Sequence, residues 1–477
     1  MATYRDILDS GRLAAGGVQD FATGLLNPTV RLGVTGLSRS GKTVFITAIV
    51  NALLKGARLP AFDAHARGRI TRCYLEPQPD DDLPRFPYEE NVQKLIEDRV
   101  WPEGTRRISQ LRITIEYEPQ GLIARNLHGG KLHLDIVDYP GEWLLDLPLM
   151  RMSYVEWSHA TLEAAQKAPR DSLSADYRAY LKGVDPDGPA QEITAVQAAR
   201  NFTAYLARCR ENDVSLSTLP PGRFLMPGDL EGSPLLSFAP LSFPAGQSIR
   251  SNSLAELMER RYDSYVSKVV RPFFFGHFAR LDRQIVLVDA LTALNAGPSA
   301  VFDLQKALAD VLQAFRVGRN SLFSEIFGRR IDRILFAATK ADLLNHGAHD
   351  KLEDILREIV GRAVARAEDT GTAYGVSAVA AIRATREAKV IERGEELLCI
   401  AGTPEKGEVI AGKHFDGEME AAIFPGDLAQ DPKAALNGTL AGKLRFVRFR
   451  PPKLIEGEFP HIRLDRTLEF LLGDCFP

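Results

Sequence analysis

In this 477-residue chain, the residues best suited to chemistry are Gly36-Leu37-Ser38-Arg39-Ser40-Gly41-Lys42-Thr43. They have the G-x-x-x-x-G-K-[ST] spacing of a phosphate-binding loop. Glycines let a backbone wrap closely around phosphate oxygens, with its N–H groups as donors. Gly36, Ser38, Arg39, Ser40, Gly41, Lys42, Thr43 and Val44 are the expected nucleotide contacts. Val44 opens a helix whose N-terminus adds partial positive charge. Lys42 is expected to bridge the β- and γ-phosphates and the Thr43 hydroxyl to ligate Mg²⁺.

Two further groups narrow the chemistry. Asp138-Tyr139-Pro140-Gly141 follows an alternating strand. An Asp there can hold Mg²⁺ through water, and the Gly141 N–H can approach a γ-phosphate. Thr339-Lys340-Ala341-Asp342 follows a second apolar strand. The Asp342 carboxylate can accept from both N1–H and the exocyclic amine of guanine. Adenine lacks that pair and would leave a buried charge unsatisfied. The Lys340 stem is expected to cover the base and steady the phosphate loop. Thr339, Ser377, Ala378 and Val379 complete the base site, with a backbone N–H from Ser377-Ala378 on guanine O6.

These groups need a parallel sheet to bring them together. Val30–Thr35 is an apolar lead-in strand, and Val44–Leu54 has helical spacing. Leu111, Ile113, Ile115 and Tyr117 alternate, as do Leu132, Leu134 and Ile136, which predicts a hairpin. Ile285–Val288 and Ile334–Ala338 are continuous apolar runs, expected of strands buried on both faces. Helices at Phe302–Phe315 and Lys351–Glu368 and a strand at Ala373–Val376 complete a doubly wound α/β pattern. Its ligands bind at the carboxyl ends of the strands.

Other stretches read differently. Leu59–Arg85 reads as a polar, Pro- and Asp-rich segment, and its acidic run Asp80, Asp81 and Asp82 as a solvated loop. Residues 144–280 read as a helical insertion, with Phe273, Phe274, Phe275 and Phe278 as core. Residues 386–462 form a β-rich extension with strands at Lys389–Ile400, Gly407–Phe415 and Lys443–Phe449, and residues 463–477 close with a helix. The expected sheet domain is therefore split into 27–143 and 281–385.

Net charge is −3 and the pI near 6.4, which gives no reason to expect nucleic-acid binding. Four separated cysteines form no CxxC pair, as expected of free thiols in a reducing cytoplasm. No apolar run reaches the roughly 20 residues of a membrane span. Residues 1–26 lack a signal-peptide pattern. They read as an amphipathic helix docked on the body, with a peripheral contact to the inner membrane as the sharper alternative.

Phosphate loop, D-x-x-G, T-K-x-D and Ser377-Ala378, in that order, resemble the Ras-like GTPases. The resemblance implies a switch threonine that ligates Mg²⁺ in the GTP state: Thr105, with Thr71 as alternative. Trp101-Pro102-Glu103-Gly104-Thr105, Asp138-Tyr139-Pro140-Gly141-Glu142-Trp143 and the large insertion also resemble the YcjX-like family, bacterial P-loop proteins linked to envelope and phage-shock-type stress. That implies a doubly wound, mostly parallel P-loop NTPase sheet with an inserted helical domain and GTP or GDP and Mg²⁺ as ligands; it implies no known partner, and the protein partner is left unknown. Lys42, Thr105, Gly141, Arg39 and Glu142 are the catalytic candidates, and Thr43, Thr105 and Asp138 the metal ligands. Arg39 reads either as an arginine finger in cis or as a solvent or ribose contact. Glu142 stands where Ras-like enzymes often carry the glutamine that orients water. A carboxylate cannot donate to the transferring phosphate, and the phosphates repel it. Slow hydrolysis is expected; a nucleotide-gated binding protein, a dynamin-like membrane remodeller and an ATPase are the alternatives.

Overall fold

The computed structural model describes residues 28–36, 40–104, 107–120, 130–211, 220–243, 248–316, 331–365, 372–392, 394–410, 412–454 and 457–477. The helix expected over residues 1–26 lies outside them.

Seven strands form the central sheet: β1 (Thr29–Gly36), β2 (Ile70–Glu76), β3 (Ser109–Tyr117), β4 (Lys131–Asp138), β5 (Arg283–Val288), β6 (Arg333–Ala338) and β7 (Ala373–Ala378). Their spatial order is β2-β3-β4-β1-β5-β6-β7. Only β3 runs antiparallel to its neighbours; from β4 through β7 every pair is parallel. The apolar runs of β5 and β6 have a direct cause. Ile285, Leu287, Leu335 and Ala337 pack in the core under α1 (Lys42–Lys55). The alternate residues Val286, Val288, Ile334 and Phe336 pack in the core on the other face. A strand covered on both faces has no polar side to show.

A further core belongs to the helices that follow β4. It joins Tyr139 and Trp143 to α2 (Tyr154–Ala165), α3 (Glu192–Glu211) and α4 (Leu254–Tyr265). Trp157 stacks on Tyr262 at 5.3 Å and meets Phe238 edge-on at 5.4 Å. Phe273, Phe274 and Phe278 are buried in this core, while Phe275 is half-exposed. Later helices α5 (Pro298–Arg316), α6 (His349–Ala365) and α7 (Leu464–Leu472) flank the sheet.

Four expectations need correction. Within the polar segment Leu59–Arg85, Ile70–Glu76 is a strand that pairs with β3 as the sheet's edge. An edge strand is covered on one side only, so its alternation is blurred by residues such as Thr71 and Arg72. Lys389–Ile400 is not one strand but two, β8 (Arg386–Glu392) and β9 (Glu395–Gly402), folded back at Gly394 and joined by β12 (Ala421–Ile423). Between β9 and β12, Gly407–Phe415 shortens to the ladder of β10 (Val409–Ile410) and β11 (Lys413–His414). Lys443–Phe449 forms no strand. Its apolar residues instead serve two cores: Leu444 packs with the sheet's second face, and Val447 and Phe449 pack on Ile400 and Ile423.

Candidate nucleotide site

The registers bring the motifs to one edge of the sheet. Val34 lies beside Asp138, Gly36 beside Leu287, and Ala338 beside both Val288 and Ala378. The carboxyl ends of β1, β4, β5, β6 and β7 therefore share a rim, the usual ligand position in such sheets.

At its centre, Gly41 adopts φ 83°, a left-handed conformation that glycine takes without strain, and turns the chain into α1. Ser40 and Lys42 are buried. Among the described residues, Ser40 Oγ has no hydrogen-bond partner. Lys42 Nζ donates to the Gly36 carbonyl at 3.4 Å. A buried cation, an orphaned hydroxyl and a helix N-terminus suit a phosphate. Leu37, Ser38 and Arg39 lie outside the described residues, so the arginine-finger expectation does too.

Thr43 Oγ1 donates to the Glu103 carbonyl at 3.1 Å. A hydroxyl that donates its proton keeps lone pairs for a metal. Asp138 is buried at the end of β4. These hard oxygen donors fit Mg²⁺, which takes a few protein oxygens together with phosphate and water. Thr105 lies outside the described residues, but Ser109 opposite Asp138 brings its strand to the rim. Thr71 does not fit. It lies near the Tyr117 end of the β2–β3 pair, with its hydroxyl on the Glu116 carbonyl. At ~3.4 Å per residue that is roughly 25 Å along the strand from the rim.

Two side chains from elsewhere engage the base motif. Lys340 sits at φ 61°, and its ammonium contacts Asp289 Oδ2 at 2.5 Å. This ion pair ties Lys340 to the carboxyl end of β5. Asp289 in turn caps the helix Ala290–Ala296 through Thr292 N–H. Secondly, the Ala378 N–H donates to Glu353 Oε1 at 2.9 Å, and the Val379 N–H donates to the Ala338 carbonyl at 2.7 Å. Of the Ser377-Ala378 pair expected near guanine O6, the Ala378 N–H thus has Glu353 as its acceptor. Glu353 lies on α6 and is itself paired with Arg463, so a charged acceptor has taken that N–H. Thr339 N–H bonds the Val288 carbonyl, which ties this turn to β5. Asp342 is buried, and its Oδ2 accepts from Ala384 N–H at 2.9 Å. A carboxylate has about four acceptor positions, so this bond leaves capacity for a base. Burial raises its pKa to about 6.

Gly141 begins a 3₁₀ segment, Gly141–Arg151, whose apolar residues pack in the core built by α2, α3 and α4. Glu142 is buried and pairs with Arg210 of α3 at 3.6 Å. Arg223 lies 3.2 Å above the Trp143 ring, whose N–H donates to Met226 O. Gly222 packs so closely that a Cβ there would lie 2.0 Å from the Glu142 carbonyl oxygen. Sequence spacing gave no sign of Arg210, Gly222 or Glu353, because each reaches the site from a distant helix or loop.

Asp146, in the same segment, accepts from Gly222 N–H at 2.6 Å and from the Tyr265 hydroxyl at 2.5 Å. Burial raises its pKa from 3.8 to about 6, with those donors opposing. The folded chain thus holds this proton more tightly than the unfolded one. That contribution is complete below pH 3.8 and is lost as pH rises through about 6. It amounts to roughly 3 kcal/mol. Asp146→Asn keeps an oxygen to accept from the Gly222 N–H, offers the Tyr265 oxygen an N–H as the protonated acid offers its O–H, and cannot ionise. Melting curves from pH 4 to pH 7 should show the wild type losing stability relative to this variant up to about pH 6. Parallel curves would remove Asp146 from the account; Asp342 titrates alike in both chains.

No helix among the described residues is long and apolar enough to cross a membrane. The sequence model of the YcjX-like family (DUF463) matches residues 30–476. The chain is 37% identical over 460 residues to the "Ras-like GTPase YcjX" of Escherichia coli (strain K12), covering 93% of this chain and 95% of that one. It is 33% identical over 469 residues to the "Ras-like GTPase YcjX" of Shewanella oneidensis, covering 93% and 94%. Full-length matches of this kind, on a P-loop α/β sheet with a small antiparallel extension, place the chain in the YcjX-like family.

Proposed function

We propose that this protein is a Mg²⁺-dependent GTP-binding switch that hydrolyses GTP slowly. The observation that carries the reading is the convergence of Lys42, Thr43, Asp138 and Asp342 on one rim of the sheet. Lys42 and the start of α1 hold the phosphates. Thr43 and Asp138 hold the metal, with Thr105 joining in the GTP state. Mg²⁺ offsets phosphate charge, and Asp342 selects guanine. Gly141 reports the γ-phosphate to the insertion, residues 144–280, through Glu142, Trp143 and Asp146. The names of the two relatives support the guanine nucleotide, and a stress-related role in bacteria rests on the family resemblance alone. Displacement of fluorescent GTP from the full chain tests the claim: unlabelled GTP should compete at least about 100-fold better than ATP, as expected where a buried polar group is satisfied by one base only. Equal competition would end the guanine assignment.

The Glu142–Arg210 pair favours a second reading, a nucleotide-gated binding protein with negligible hydrolysis. The pair directs a buried carboxylate toward the insertion, away from the work of orienting water. Single-turnover hydrolysis of bound GTP separates the two readings.

A further inference from the structure

The segment before Thr105 is held from an unexpected direction. Trp101 Nε1 donates to the Phe449 carbonyl at 2.6 Å, and Arg99 Nε donates to the Pro451 carbonyl at 3.2 Å. Both acceptors belong to the C-terminal extension. Two residues after Trp101, the Glu103 carbonyl accepts the Thr43 hydroxyl. A hydroxyl rotor is otherwise free, and fixing its proton aims its lone pairs.

The same extension grips the base motif. Phe449 is buried with Ile400, Val447 and Ile423, and Leu343, the neighbour of Asp342, packs against this cluster. Phe449 also pairs with Pro404. Ala384 N–H and the Thr385 hydroxyl, just before β8, bond the Asp342 carboxylate and carbonyl. One small β unit therefore touches both ends of the site.

We propose that Trp101 is a positioning residue for Mg²⁺. Anchored on Phe449, it holds Glu103 against Thr43 and so sets how tightly the metal–nucleotide pair is retained. The extension is thereby a clamp on nucleotide release, with the metal end and the base end coupled through Phe449. This inference rests on the nucleotide reading above. Outer-shell partners that orient a metal ligand typically contribute 10- to 100-fold to metal affinity.

The test uses the full chain loaded with fluorescent GDP, with release followed as MgCl₂ is titrated and again in excess chelator. Trp101→Phe keeps the ring and removes the N–H. It should raise the Mg²⁺ midpoint about tenfold while release in chelator stays within about twofold of wild type, because the phosphate loop and Asp342 are untouched. Arg99→Met, at the partly buried second anchor, removes the Nε–H donor and should shift the midpoint in the same direction, which guards against a folding defect in the tryptophan variant. A merely structural role would speed release equally with and without Mg²⁺. That result, or an unchanged midpoint in both variants, overturns the proposal. A wild-type chain that binds no GDP overturns the nucleotide reading and this inference with it.

Discussion

Lys42→Ala is expected to abolish GTP and GDP binding while leaving the fold intact. Lys42 is a buried ammonium whose bond to the Gly36 carbonyl is long and to a neutral acceptor. Little native stability therefore depends on it. A bound triphosphate would give it charged oxygens instead, and bonds to charged groups contribute roughly 1.5–3 kcal/mol each. Two such bonds correspond to a loss of roughly 10²–10⁴ in affinity. Calorimetric titration should show no heat at micromolar nucleotide, while thermal unfolding stays within a few degrees of wild type. Retained micromolar binding would place the phosphates elsewhere.

Asp342→Asn should exchange guanine for xanthine. The carboxylate accepts from two guanine N–H groups, whereas an amide offers one acceptor and one donor. Xanthine carries a carbonyl where guanine carries the amine, so it matches the amide. GTP affinity is expected to fall at least about 100-fold and xanthosine triphosphate to become the better ligand, since mismatched buried polar groups discriminate strongly. Asparagine can still accept the Ala384 N–H, so the loop over this residue is retained. In the wild type, GTP binding should weaken as pH falls below about 6, because a protonated Asp342 loses an acceptor. A flat pH profile, or a variant that still prefers GTP, would show that Asp342 does not read the base.

How far the sequence could be read depended on whether the physics was local. The phosphate loop is legible because its glycines, lysine and hydroxyl act within eight residues. β5 and β6 are legible because burial on both faces removes every polar alternative. β2 escaped because an edge strand keeps polar residues on its open side. The β8–β9 hairpin escaped because a two-residue turn at Gly394 interrupts a run that otherwise looks continuous. At the site, the sequence points to Lys42, Thr43, Asp138 and Asp342, which share one rim, but it does not show the partners that surround them. Ala378 faces Glu353 from α6, Glu142 faces Arg210 from α3, and Trp101 reaches Phe449 almost 350 positions later. Such pairings are set by packing, and no spacing rule records them.

The burial of Gly141–Arg151 in the insertion has a practical consequence. Trp143, Leu144, Leu147 and Leu149 share one core with α2, α3 and α4, with Val311 of α5 and with Val137 of β4. A trimmed fragment that joined the two halves of the sheet and omitted residues 152–280 would keep the cover from α5 but lose that from α2, α3 and α4, and would leave part of this apolar surface in water. Such a fragment would aggregate. Efforts to isolate a minimal nucleotide-binding unit, or to graft this insertion onto another sheet, must therefore move the segment and its helical cover together.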